Sequence, residues 1–270
     1  MVDKGEGSSM KKLLKLIWRY FKFNLSAQME YRANFLIQTF GMIINDAFLL
    51  FFWWILFGKV GVINNYGMDD MLLVYAVVTV SFGISQVFFG NLFNMTQIII
   101  NGELDSYLLL PQEPLSHLLV SRISLSALGD LIFGLALFFF TSYASLSNFV
   151  LLIIVSILAS FVFTGFNIIF QSLTFYIGNA TSLASVIPDS ILTFSLNPHT
   201  LFTGVVRVIL FTIIPSMYFS FIPVSIIKNF DGWSMLYLAG AAALFMLAGI
   251  VVFKCGLKKY ESGNLIVKRM

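Results

Sequence analysis

The chain has 270 residues, of which 59% are hydrophobic and only 11% charged, with a formal net charge of +3. Soluble domains average about 45–50% apolar and about 25% charged residues, so a water-soluble globule is excluded, because it would expose too much apolar surface. The single Cys255 excludes an internal disulfide framework and a zinc site built on cysteines, and reads as an inert thiol at a membrane end.

No cleavable signal peptide is evident. The first ten residues, MVDKGEGSSM, are polar and rich in Gly and Ser, and read as a linker ahead of a start at Met10. The segment 11–32, KKLLKLIWRYFKFNLSAQMEYR, differs in kind. It puts Leu13, Leu14, Ile17, Phe21 and Leu25 on one helical stripe, with Lys11, Lys15, Arg19 and Lys22 toward another face and Trp18 between them. That pattern predicts a basic amphipathic helix lying in the membrane interface. The alternative is a charge cluster that only stops translocation.

Six stretches then follow, at about 33–57, 71–95, 118–143, 148–177, 204–227 and 233–254, each long enough to cross some 30 Å of hydrocarbon as helix. Lipid cannot satisfy an open sheet edge, and the short alternating segments of a barrel are absent. The expectation is an all-α integral membrane protein: one transmembrane domain over 11–270, with six transmembrane helices.

Lys and Arg set the orientation. With six spans both termini share a side. That side takes Lys4, Lys11, Lys12, Lys15, Arg19, Lys22, Arg32, Arg122, Arg207, Lys254, Lys258, Lys259, Lys268 and Arg269, leaving only Lys59 and Lys228 of the 16 cations opposite. Both termini are expected in the cytoplasm. The positive charge is thus a topology signal, and no nucleic-acid partner is expected. The loops are too short to fold as a catalytic domain.

Between spans two and three lies NGELDSYLLLPQEP. Glu103 and Asp105 suit the first turn of a short helix, where the dipole favours anions, and Leu104, Leu108 and Leu109 would share one face. Two readings stand open: an exposed apolar stripe that docks into a partner's groove, or a turn whose leucines lie back in the membrane.

Three ionisable groups fall in or beside spans. Asp46 and Asp130 each lie about a dozen residues into an outward-running helix, near the bilayer middle, and must face the protein interior. They could line a substrate path, or be structural groups bonded to residues such as Asn45, Asn167 or Gln171. Arg122 is expected to snorkel to the inner surface. His117 and His199 are isolated near predicted inner ends, as solvated or capping residues. Pro215 kinks the fifth span, as a hinge or as static packing, and is named with Asp46 and Asp130 for the possible substrate path.

The chain contains no GxxxxGK[ST] or GxGxxG phosphate loop and no HExxH, so an enzyme reading has little direct support and no cofactor is expected in this chain.

Three segments carry a family resemblance: QMEYRANF at 28–35, NGELDSYLLLPQEPL at 101–115, and NPHTLFTGVVRVILFTIIPSMYFSFIP at 197–223. In order and placement they resemble the six-span membrane subunit of type-2 ABC exporters, in a poorly characterised bacterial branch. The resemblance implies a permease in the bacterial inner membrane, paired with a second membrane subunit, the same chain or a close relative. It implies separate cytoplasmic ATPase subunits that bind ATP and Mg. It makes Gly102–Leu110 the coupling helix, touching the ATPase together with the N-terminal helix. It also puts the shared membrane-subunit surface on spans one and five. The chain departs from the class in lacking a developed extracellular helix pair between spans five and six. An amphiphilic substrate (drug, peptide or lipid-like) is expected. The competing readings are an ion-coupled secondary transporter or channel, a lipid-modifying membrane enzyme and a membrane anchor.

Overall fold

A computed structural model describes residues 6–63 and 66–261, with side chains described from residue 16 onward except at 28. Residues 1–5 of the expected linker at 1–10, the side chain of Leu14, and Lys268 and Arg269 therefore lie outside the described residues, while residues 6–10 are already helical.

The helices are α1 (Glu6–Glu30), α2 (Arg32–Val60), α3 (Met68–Phe89), α4 (Met95–Ile100), α5 (Leu104–Leu108), α6 (Pro114–Ser121) and α7 (Leu128–Phe138). They continue as α8 (Leu146–Ser172), α9 (Thr174–Ile177), α10 (Thr181–Ser195), α11 (Gly204–Thr212), α12 (Ser216–Phe219), α13 (Phe221–Lys228) and α14 (Gly232–Leu257). Short 3₁₀ turns at Gly90–Asn94, Leu125–Ala127 and His199–Leu201 join some of them. Polar caps start α8 and α14 where the apolar run begins: Ser145 accepts from Asn148 N at 3.2 Å, and Asp231 accepts from Ser234 N at 3.0 Å.

The core forms where α3, α7, α8 and α14 meet. Fully buried Phe163 on α8 stacks on Phe219 at 5.2 Å between ring centres and meets Phe82 of α3 edge-on at 5.7 Å. Glycines let backbones approach. A methyl on Gly249 would stand 2.8 Å from the Gly165 carbonyl oxygen, so α8 and α14 touch main chain to main chain. Ala241 and Ala242, within the small-residue face of span six, pack inward against Val162. By contrast, only 17% of the most apolar window of α2 is buried, against 72% for Met68–Ile100. Helix α2 therefore presents Ile37, Phe40, Phe48 and Trp54 outward.

Two expected spans are not single helices. The stretch expected over 118–143 is α6 and α7, bent by 68° around residues 122–124. The stretch expected over 204–227 is bent by 66° at Pro215, whose ring cannot sit in a continuous ladder.

The second bend has a larger consequence. His199 Nδ1 pairs with the Tyr66 hydroxyl at 2.9 Å, and Lys228 Nζ lies 5.5 Å from the same Tyr66 ring. Both ends of the segment 199–228 thus reach the loop before α3, at the end of the bundle away from the termini. A straight span would put its ends some 30 Å apart. Helix α10, expected as part of an inner loop, rises instead from the terminal-side end, where Gln97 Nε2 donates to Thr181 Oγ1 at 3.3 Å. Its 15 residues cover ~22 Å. Arg207, grouped above with the terminal-side cations, lies on α11 beyond that rise. The sequence misled here because α10 carries Pro188 and several polar residues, so its hydropathy is diluted, while α11 and α13 are more apolar despite Arg207 and Lys228.

Candidate functional site

The loop after α4 turns at Gly102, whose φ of 72° is in the left-handed region that glycine adopts without a side-chain clash. Asn101 Nδ2 then donates to Glu103 Oε1 at 3.1 Å, and Ser106 Oγ to the Glu103 carbonyl at 2.7 Å. These fix the start of α5. Leu104 is fully buried and packs in the cluster of Leu92, Met95, Leu118 and Phe253. Leu108, Leu109 and Leu110 are exposed, Leu109 by 86%. The expected stripe of Leu104, Leu108 and Leu109 is therefore split: one leucine anchors the helix and the others project. A run of only five helical residues makes little more than one turn, so its residues cannot all share a face.

Glu103 is exposed, as expected, whereas Asp105 is half-buried. The Tyr260 hydroxyl lies beside the Asp105 carboxylate; burial first, and that carboxylate second, push its pKa up to about 12. Glu113 Oε1 pairs with Lys254 Nζ at 3.2 Å, but both are exposed and the pair adds little stability.

His117 is not solvated. It is buried, shares a hydrogen bond with the Tyr20 hydroxyl of α1, and meets the Tyr107 ring edge-on at 5.5 Å. Tyr107 OH lies 3.1 Å from Ser121 Oγ, to which Asn91 Nδ2 donates at 2.8 Å. Asn24 Nδ2 donates to the Ser121 carbonyl at 3.3 Å. This polar node joins α1, α5, α6 and the turn after α3. Tyr20, Asn24, Tyr107 and His117 were not expected to act together; their separation along the chain leaves no periodic signal. On α1, Ile17 is half-buried, Phe21 packs near Ile123 and Leu125, and Trp18 and Arg19 are exposed.

Asp46 and Asp130 face the interior, 8% and 3% exposed. Their carboxyl groups stand close to each other, and each keeps a buried Oδ2 without a partner. The expected amide partners are engaged or turned away. Gln171 Oε1 accepts from Thr96 Oγ1 at 2.6 Å, Asn167 Nδ2 donates to the Phe163 carbonyl at 2.9 Å, and Asn45 is exposed. Close packing brings the acids together, since Gly129 lets α7 rest on the Thr39 backbone. Pro215 is not with them: α12 packs chiefly on α8, α10 and α13. The three residues named above for a substrate path do not form one site within the chain. Among the described residues no group of His, Cys, Asp and Glu could hold a metal ion.

Four helices are long and apolar enough to cross a membrane, or up to six if each bent pair is one span. With short connections and an anchored helical tip at one end, this defines a multi-pass membrane protein of the permease class. The family model described as ABC-2 family transporter protein matches residues 43–263, and the chain belongs to that family. No curated protein and no solved structure matches it.

Proposed function

We propose that the chain is the permease subunit of an ATP-driven exporter, working with a second membrane subunit and with cytoplasmic ATPase subunits that bind ATP and Mg. One observation carries this reading. The tip of α5 projects Leu108, Leu109 and Leu110 while Leu104 and the Tyr107–His117 node hold its base. Exposed apolar side chains on an immobilised turn are what a partner's groove requires. Both termini and α5 are on the cytoplasmic side of the bacterial inner membrane in this reading. Helix α10 makes the fifth crossing. The bent segment 199–228 enters from the outer side and returns to it, and serves as an external helix pair in this reading. The chain itself hydrolyses no ATP. The substrate is amphiphilic.

The test is co-purification with the ATPase expressed from the same host. Replacing Leu108 and Leu109 with Asp should abolish ATPase capture and export, with little change in thermal stability, because exposed positions contribute within about 0.5 kcal/mol. Unchanged capture would end the assignment of α5 as the docking element.

A second reading is favoured by the paired acids: an ion-coupled secondary transporter or channel, which would place a proton or cation at Asp46 and Asp130. Vesicle transport driven by ATP with the ATPase present, or by an ion gradient with the chain alone, separates the two.

A further inference from the structure

Between α6 and α7, residues 122–124 leave the helical ladder; Arg122 is extended, with φ −126° and ψ 133°. Irregular backbone at membrane depth persists where protein covers it or where it lines a polar cavity. Here a cavity of about 390 Å³ opens beside it. Arg122, Ser124, Ser126, Asn24, Gln38 and Asn94 line it, and no carboxylate among the described residues does. The Arg122 side chain is exposed and takes part in no ion pair among the described residues. The Ser124 and Ser126 hydroxyls stand 3.0 Å apart at the start of the helical run into α7, where backbone N–H groups add to the positive field.

The level of the cavity is set by Asn24, which is on α1 and bonds the Ser121 carbonyl. Helix α1 has the composition of an interfacial helix, and lipid phosphates lie at the depth of such helices. An adjoining cavity of about 520 Å³ shares Arg122, Asn24 and Asn94 and runs to Glu103 and Tyr107. On the other side, Ile37, Phe40 and Ile44 of α2 are exposed and offer an apolar track.

We propose that this cavity binds the phosphate headgroup of an anionic amphiphile taken from the leaflet on the terminal side. A planar guanidinium matches two phosphate oxygens at once, and amide and hydroxyl donors can meet the rest. The acyl chain lies along α2. The headgroup then sits where the interfacial helix, the break in the third span and the α5 loop converge. The proposal concerns binding by this chain alone and does not depend on the exporter reading.

The test uses the full chain purified in detergent and titrated by native mass spectrometry. The probes are phosphatidylglycerol and a diacylglycerol of the same chains. The wild type should hold phosphatidylglycerol in clear preference. Arg122→Gln should weaken it by about tenfold or more, the size of one charge-assisted contact, and Arg122→Lys should restore part of the loss. Ala27→Phe fills the cavity from α1 while leaving Arg122 in place, and should weaken binding as strongly. Thermal unfolding checks each variant; if Ala27→Phe does not fold, Ser126→Leu replaces it. Equal affinity of wild type and Arg122→Gln overturns the proposal. So does a loss confined to Arg122→Gln, which would mean attraction to a surface charge and no enclosed site. Displacement of the lipid by millimolar inorganic phosphate would identify a free-phosphate site and overturn the headgroup assignment.

Discussion

Asp46 on α2 and Asp130 on α7 bring their carboxyl groups together inside the bundle, each with a buried Oδ2 that no donor reaches. Two ionised carboxylates offer no donor, so a hydrogen bond between them needs a proton on one. Asn supplies both a donor and an acceptor at similar size. Asp46→Asn or Asp130→Asn should therefore shift stability by less than about 1 kcal/mol. Asp46→Ala strands Asp130 without its partner and should cost about 1–3 kcal/mol. Thermal unfolding in a single detergent gives the comparison. Equal losses for Asn and Ala would mean that the pair contributes no hydrogen bond to the fold.

The path of the chain after α9 can be read by labelling. With Cys255→Ser as background, single cysteines at Asn179, Thr203 and Asn229 are probed in intact cells and inverted vesicles with an impermeant maleimide. Thr203 and Asn229 should label from one side and Asn179 from the other, because His199 and Lys228 both reach Tyr66. If Thr203 labels from the same side as Asn179, 204–227 is a straight crossing and α10 is not.

Lys228 Nζ lies 2.7 Å from Asp70 Oδ1, and Asp70 also accepts from Gly67 N at 3.0 Å and from Tyr143 OH at 3.2 Å. The pair is mostly covered, so removing the cation leaves a carboxylate short of compensation. Lys228→Met should cost about 1–3 kcal/mol, less than a fully buried pair would lose. In a double-mutant cycle with Asp70→Asn, the two substitutions should be non-additive by about 1 kcal/mol or more. Simple additivity would show that α13 is not held to α3 by this contact.

Gly165→Ala should be more harmful than its size suggests. The added methyl would overlap the backbone of Phe245 and Met246, so α8 and α14 must separate. The expected loss is about 1–3 kcal/mol. Gly240, on the same α14, has nothing within 4 Å of an added methyl. Gly240→Ala should be neutral or slightly stabilising, as Ala is the better helix former. Equal tolerance at both positions would mean the two helices pack less closely than described.

Much of the bundle was legible because a continuous apolar run has one solution in lipid. The long helices α2, α3, α8 and α14 begin and end close to where hydropathy puts them. The third span was legible as a span but not as a broken one: nothing in the local residue types of Arg122–Ser124 marks an interruption, which is fixed by Ser124 N donating to Gln86 O at 3.2 Å. Helix α10 was not expected as part of the bundle because hydropathy ranks segments by side-chain character alone. Thr181, Ser182, Ser185, Asp189 and Thr193 of α10 are exposed, and Ser195 is buried, its Oγ donating to the Ser216 carbonyl at 3.2 Å. The site divides in the same way. Glu103 and Leu109 were identifiable from a short loop with few possible roles. The contact of Asp46 with Asp130 was not, since depth along two helices says nothing about the faces that meet.

The interruption of the third span gives the molecule a place to bend. An α-helix passes an axial push along its hydrogen-bond ladder with little loss; at Arg122–Ser124 that ladder stops. Below it, α5, α6 and α1 are tied through Tyr107, His117 and Tyr20 and would turn as one stiff plate. Above it, α7 is seated on α2 at Gly129 and at the acid pair. Ser124, bonded to α3, is the fulcrum between them. A small displacement at the tip of α5 would therefore be taken up as rotation about a few backbone dihedrals, and would emerge as a tilt of α2, the least buried of the four long apolar helices.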